Sequence, residues 1–125
     1  MRTLFDFLVL AALAAVAVAA GDVTGKWSGS FDMIGPNGEI KTTTAMFVLK
    51  QIGTDITGTV GPDEHEQFAI QTGKIDGGKV TLVADRDGRT IKFDLVLAAD
   101  RLTGEANMTG QGQTAKARIN VIREK

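Results

Sequence analysis

The sequence has no cysteine and no tyrosine, one tryptophan, one histidine, and a net charge of only −1 over 125 residues. Each scarcity removes a class of answer. Without cysteine a small exported chain cannot be stapled by disulfides, so its core must suffice, which favours a closed and well-filled architecture. One histidine, His65, excludes a catalytic pair of histidines or a multi-histidine metal site within one chain. Near-neutral charge provides neither the basic footprint of a nucleic-acid binder nor a polybasic face for anionic lipid. Aromatic residues are 6% of the chain, too few for a stacking platform. No segment of the chain after residue 20 carries the i, i+3, i+4, i+7 pattern of an amphipathic helix.

Residues 1–20 differ from the rest. Arg2 gives a short positive start, and Phe7 to Ala20 is an unbroken apolar run ending in small residues. Ala17-Val18-Ala19 and Val18-Ala19-Ala20 both fit a signal-peptidase site. The run is 14 residues long, short of the ~20 a spanning helix needs. Residues 1–20 are therefore expected to be a secretory signal helix, with residues 21–125 a single mature domain that is secreted or periplasmic and free of the membrane. No cysteine follows the run, which rules out a bacterial lipoprotein anchor.

The stretch Val23 to Met33 sets the pattern for the remainder of the chain. Val23, Gly25, Trp27, Gly29, Phe31 and Met33 share one parity, and Thr24, Lys26, Ser28, Ser30 and Asp32 share the other. Period two with one apolar face is a half-buried strand. Turn signals recur at Gly35-Pro36-Asn37-Gly38, Gly53-Thr54-Asp55, Gly61-Pro62-Asp63-Glu64, Asp76-Gly77-Gly78, Asp85-Arg86-Asp87-Gly88, Ala99-Asp100-Arg101 and Gly110-Gln111-Gly112-Gln113. They divide the mature chain into eight strands. Thr90 to Ala98 alternates most clearly, with Ile91, Phe93, Leu95 and Leu97 against Thr90, Lys92 and Asp94. Met46-Phe47-Val48-Leu49 is apolar on both faces, which leaves its inward parity open. A faint repeat relates Val48-Leu49 and Ile56-Thr57-Gly58 to Val96-Leu97 and Leu102-Thr103-Gly104, about 46 residues on.

Eight short strands joined by hairpins bury their common apolar face and remove their edges by closing. The expected fold is all-β, an eight-stranded antiparallel up-and-down β-barrel preceded by the signal helix. Inward glycines at Gly25, Gly29, Gly58 and Gly104 suit a small, strongly coiled sheet. Charged residues gather on the other parity, the reverse of an outer-membrane barrel. Closure sets the start of strand one beside the end of strand eight. Arg123 continues the parity of Ile119 and Val121, so its guanidinium is expected to stack on Trp27 and plug that end.

Gly25-Lys26-Trp27, the Leu-x-x-x-Gly-x-x-Ile-Thr-Gly-Thr-Val stretch from Leu49 to Val60, and a late arginine together resemble the lipocalin and avidin type of barrel, the calycins. The whole mature chain resembles small secreted bacterial barrels of unassigned function. The resemblance implies a closed tryptophan end and ligand entry at the other. The mouth would then be framed by residues 34–39, 61–67, 85–89 and 110–113, connections longer on average than those at the tryptophan end. Avidin-type biotin sites need several tryptophans and a tyrosine, so biotin is not expected.

Chemistry is sparse. Asp63-Glu64-His65-Glu66 reads as a solvated turn before it reads as a cation site, and Asp85-Arg86-Asp87-Gly88 lacks the later ligands of a calcium loop. There is no nucleophile elbow or phosphate loop, and no strand sets two carboxylates inward for acid–base work. Catalytic residues, metal ligands and a cofactor are thus not expected. The candidate ligand-binding residues are Met33, Phe68 and Met108, inward near the mouth, with Met46 an open addition. Methionine adapts to varied apolar ligands. The same residues suit core filling, and about twenty inward apolar side chains, Phe31, Phe47, Phe68 and Phe93 among them, suffice to fill such a barrel. Two functions lead: a binding barrel for a small apolar or amphipathic molecule, or a protein-interaction module such as an inhibitor of an exported hydrolase. A third, an enzyme, would require a polar cluster inside the barrel that the sequence does not suggest. A cavity above ~300 Å³ separates the first from the second.

Overall fold

A strand with one apolar face has to cover that face and pair its edge groups, and this chain does both by closing on itself. The computed structural model describes residues 22–35 and 37–124; the expected signal helix and its cleavage site lie outside the described residues. Eight strands run in order: β1 Gly25–Ile34, β2 Ile40–Ile52, β3 Asp55–Asp63, β4 Glu66–Asp76, β5 Lys79–Arg86, β6 Arg89–Ala98, β7 Arg101–Gly110 and β8 Gln113–Arg123. Each pairs antiparallel with its sequence neighbours, and β1 pairs with β8, giving a closed up-and-down barrel.

Alternation builds the core. On β6, Ile91, Phe93, Leu95 and Leu97 are buried, while Lys92, Asp94, Val96 and Ala98 are exposed. The same rule buries Leu102 and Ala106 on β7 and Ala117, Ile119 and Val121 on β8. Among the described residues no polar or charged residue is buried, so the interior rests on apolar packing alone. Phe47 fixes the parity of β2: Ala45, Phe47 and Leu49 point in, and Met46 and Val48 point out.

Three turns at the tryptophan end and three at the opposite end hold two residues each, for example Gly53-Thr54 and Asp87-Gly88. Asp87 and Gly88 have φ of 52° and 81°, the left-handed pair that matches the twist of a hairpin. The strands run further toward the mouth than the turn signals indicate. β3 continues through Pro62 to Asp63, and β5 continues to Arg86. Apart from the connection between β1 and β2, the mouth therefore has no long loops, and strand ends form its rim. That corrects the expectation of a loop-framed mouth. A proline inside β3 is tolerated because the register with β4 is interrupted between Val60 and Asp63.

Two features coil the sheet. The β4–β5 register shifts between Ile70 and Thr72, and the extra residue switches the inward parity from Phe68 and Ile70 to Gly73 and Ile75. Glycines let strands cross closely. A Cβ on Gly58 would stand 1.9 Å from the Val48 carbonyl oxygen, and one on Gly104 2.1 Å from that of Asp94. Gly58 faces Leu49 and Gly104 faces Leu95. The two halves of the repeat seen in sequence thus form matching hairpins, aligned on Leu49 and Leu95 instead of on Leu49 and Leu97.

Candidate functional site

The two ends of the barrel are built differently, and the closed end defines the open one. Val23 precedes β1 and is fully buried, as is Trp27. The Trp27 indole N–H donates to the Val23 carbonyl at 3.0 Å, so the one polar atom of the plug is satisfied. Above the ring lies Arg123, its guanidinium carbon 4.4 Å from the ring centroid. Its Nη1 donates to the Thr24 carbonyl at 2.7 Å and its Nη2 to the Asp22 carbonyl at 3.0 Å. Nε donates to Asp100 Oδ1 at 3.0 Å. The cation closes the base and ties the segment before β1 to the β6–β7 turn. The Asp22 carboxyl is held below its ordinary value, chiefly because it accepts the Thr24 backbone N–H, with Arg123 adding a smaller pull in the same direction.

Toward the other end the packing stops at an edge-to-face pair, Phe47 and Phe93, with ring centroids 5.4 Å apart. Above this floor is a cavity of about 330 Å³ that reaches the surface. Met33 from β1, Phe68 from β4 and Met108 from β7 all line it, and so the structure brings the three sequence candidates together. All three are only partly buried. Met46 is not part of the lining: its outward parity on β2 places it opposite Ser28 and Gly61 on the neighbouring strands. The expectation of a filled interior holds below the phenylalanine pair and fails above it. There Thr43 and Pro62 stand where bulkier apolar residues would be needed to fill the space.

The two charged lining residues were not among the sequence candidates. Lys41 shares the inward parity of Ala45 and Phe47 on β2, and Arg86 shares that of Leu82 and Ala84 on β5. The parity signal was present for both. Arg86 was hidden because its stretch reads as a turn, whereas β5 extends to include it. Arg86 lies over the Phe68 ring, 4.8 Å from the centroid, and its Nη2 donates to Glu66 Oε2 at 2.7 Å. Its charge is thereby matched. Lys41 makes no ion pair among the described residues. Thr44 donates its hydroxyl to the Pro62 carbonyl at 2.7 Å, which anchors this side of the rim.

The Asp63–Glu66 turn is structural. Asp63 Oδ1 accepts the backbone N–H groups of His65 and Glu66, both at 2.9 Å, the Asx geometry that stabilises a tight turn. His65 is exposed there, its Nε2 3.8 Å from Glu64. Asp85 is committed on the outer face, accepting from Gln71 at 2.7 Å and Thr90 at 3.2 Å. Neither loop points a carboxylate into the cavity. No protein-family model matches the chain, and no curated protein does either.

Proposed function

We propose that this chain is an exported, non-catalytic binding barrel that takes a small apolar or amphipathic molecule into its open end, with calycin-type kinship as part of the same reading. One observation carries it: an apolar cavity of about 330 Å³, open to solvent above a packed core and within the size range of ligand sites. Exposing Met33, Phe68 and Met108 at the rim costs hydrophobic burial, and a ligand would restore it. The run at residues 1–20 supports a secreted or periplasmic location.

The rival reading, a protein-interaction module such as an inhibitor of an exported hydrolase, calls for a contiguous apolar outer patch. The exposed large apolar residues are spread instead: Ile40, Val48 and Ile52 at intervals along β2, Val96 on β6 and Ile122 on β8. The test is titration of an apolar fluorophore into the wild type and into Thr43→Phe, which fills the cavity from the rim of β2. Emission should rise on binding to the wild type, with affinity at least roughly tenfold weaker in the variant at unchanged stability. Equal binding by both, or none by the wild type, overturns the reading. Native mass spectrometry of protein from its own host should then show the molecule carried.

A further inference from the structure

The polar groups on the cavity wall are unevenly placed. Most of the lining is apolar, and the two charged side chains in it, Lys41 and Arg86, are both cationic. No carboxylate lines the cavity among the described residues. Arg86 is matched by Glu66 at 2.7 Å and sits over the Phe68 ring, 4.8 Å from its centroid. Lys41 has no such counter-charge among the described residues. It stands on the inner parity of β2, opposite Met33 and two residues from Thr43, at the boundary between apolar wall and water.

An unmatched ammonium beside an apolar cavity sets a preference for one end of a guest. We infer that the site takes a single-chain amphiphile with a singly charged carboxylate head, its tail on Met33, Phe68 and Met108 and its head on Lys41. A neutral guest would gain the apolar burial only. A cationic head would meet Lys41, whose charge no ion pair among the described residues offsets. A lysine presents a point charge, not the fork that grips a phosphate in two places. The one fork nearby, on Arg86, is engaged by Glu66. The Thr44 hydroxyl is already donated to Pro62, which leaves Lys41 as the head's main partner. Because the head sits at the rim, half in water, the charge adds moderate affinity and orients the guest without the penalty of burying an ion.

This inference rests on the proposed binding function, and the experiment separates the two. Decanoate, decanol and decyltrimethylammonium are each titrated calorimetrically, below their aggregation concentrations, into wild type and Lys41→Met. In the wild type decanoate should bind about tenfold more tightly than decanol, and the ammonium compound most weakly. Lys41→Met should remove the advantage of decanoate over decanol, and an unchanged circular dichroism melting curve shows the variant to be folded. Raising the salt concentration should weaken decanoate alone. Equal affinities for decanoate and decanol in the wild type, or an advantage that survives in Lys41→Met, overturn the carboxylate assignment and leave the binding function standing. Failure of all three to bind overturns both.

Discussion

The two ends of this barrel obey one alternation rule and reach opposite results. At the base, Trp27 is fully buried, its N–H is satisfied, and Arg123 lies over it with three further hydrogen bonds from its side chain. At the mouth, Phe31, Met33 and Met108 are only partly buried around open space. The parity of the strands is the same at both ends; the size of the residues is not. A tryptophan and buried leucines and valines close one end, whereas Thr43 and Pro62 leave the other open. Close packing and open space are therefore separated along the barrel axis, and the consequences of that separation can be tested.

The largest expected effect is at the base. Trp27→Ala should lower unfolding free energy by about 3–5 kcal/mol, and Met33→Ala at the mouth by about 1 kcal/mol or less. Urea denaturation followed by circular dichroism measures both, and similar losses would break the comparison. Next comes the coiling of the wall. Gly58→Val would drive a branched side chain into the Val48 carbonyl at a φ of +132°, for an expected loss of about 2 kcal/mol or more.

Arg123→Gln should cost about 1–2 kcal/mol through the lost stacking and hydrogen bonds, with ligand affinity at the mouth unchanged. A fall in affinity would show that the ends are coupled. The smallest effect is at Asp22, whose carboxyl is held low by the Thr24 N–H. A depressed folded value means that its contribution is complete above the ordinary carboxylate range and is lost as pH falls through the folded value. The stability gap between wild type and Asp22→Asn should accordingly shrink toward zero in acid, and a gap that widens would contradict the cause given.

Most of the barrel was legible because period two is a local signal. Each strand, its inward face on β1, β6, β7 and β8, and the meeting of Trp27 with Arg123 come from parity and closure. What could not be read depends on pairs of distant residues. The shift between Ile70 and Thr72 is a property of the β4–β5 register, and nothing local to Gln71 announces it. The inward direction of Phe47 over Met46 is settled by β1 and β3 on either side, since both residues are apolar. Pro62 and Arg86 carry turn-forming chemistry yet lie in strands, because the partner strands hold them in extended form. The methionines were visible as inward residues, but whether they filled the core or lined a space depended on the volume of their neighbours across the barrel. Lys41 was equally readable by parity. A lysine pointing toward an apolar interior runs against the usual assignment of charge to the outside, and it marks the place where the wall meets water.

The chain enters and leaves the barrel at one place. Asp22 and Thr24 lie against Arg123, and the Glu124 N–H donates to the Lys26 carbonyl at 2.7 Å. A tether, tag or fused protein attached ahead of Asp22 or beyond Glu124 would hang from the base like the stem of a cup. Anchored to a sensor chip or a cell envelope by either terminus, the molecule would hold its opening toward the bulk solution.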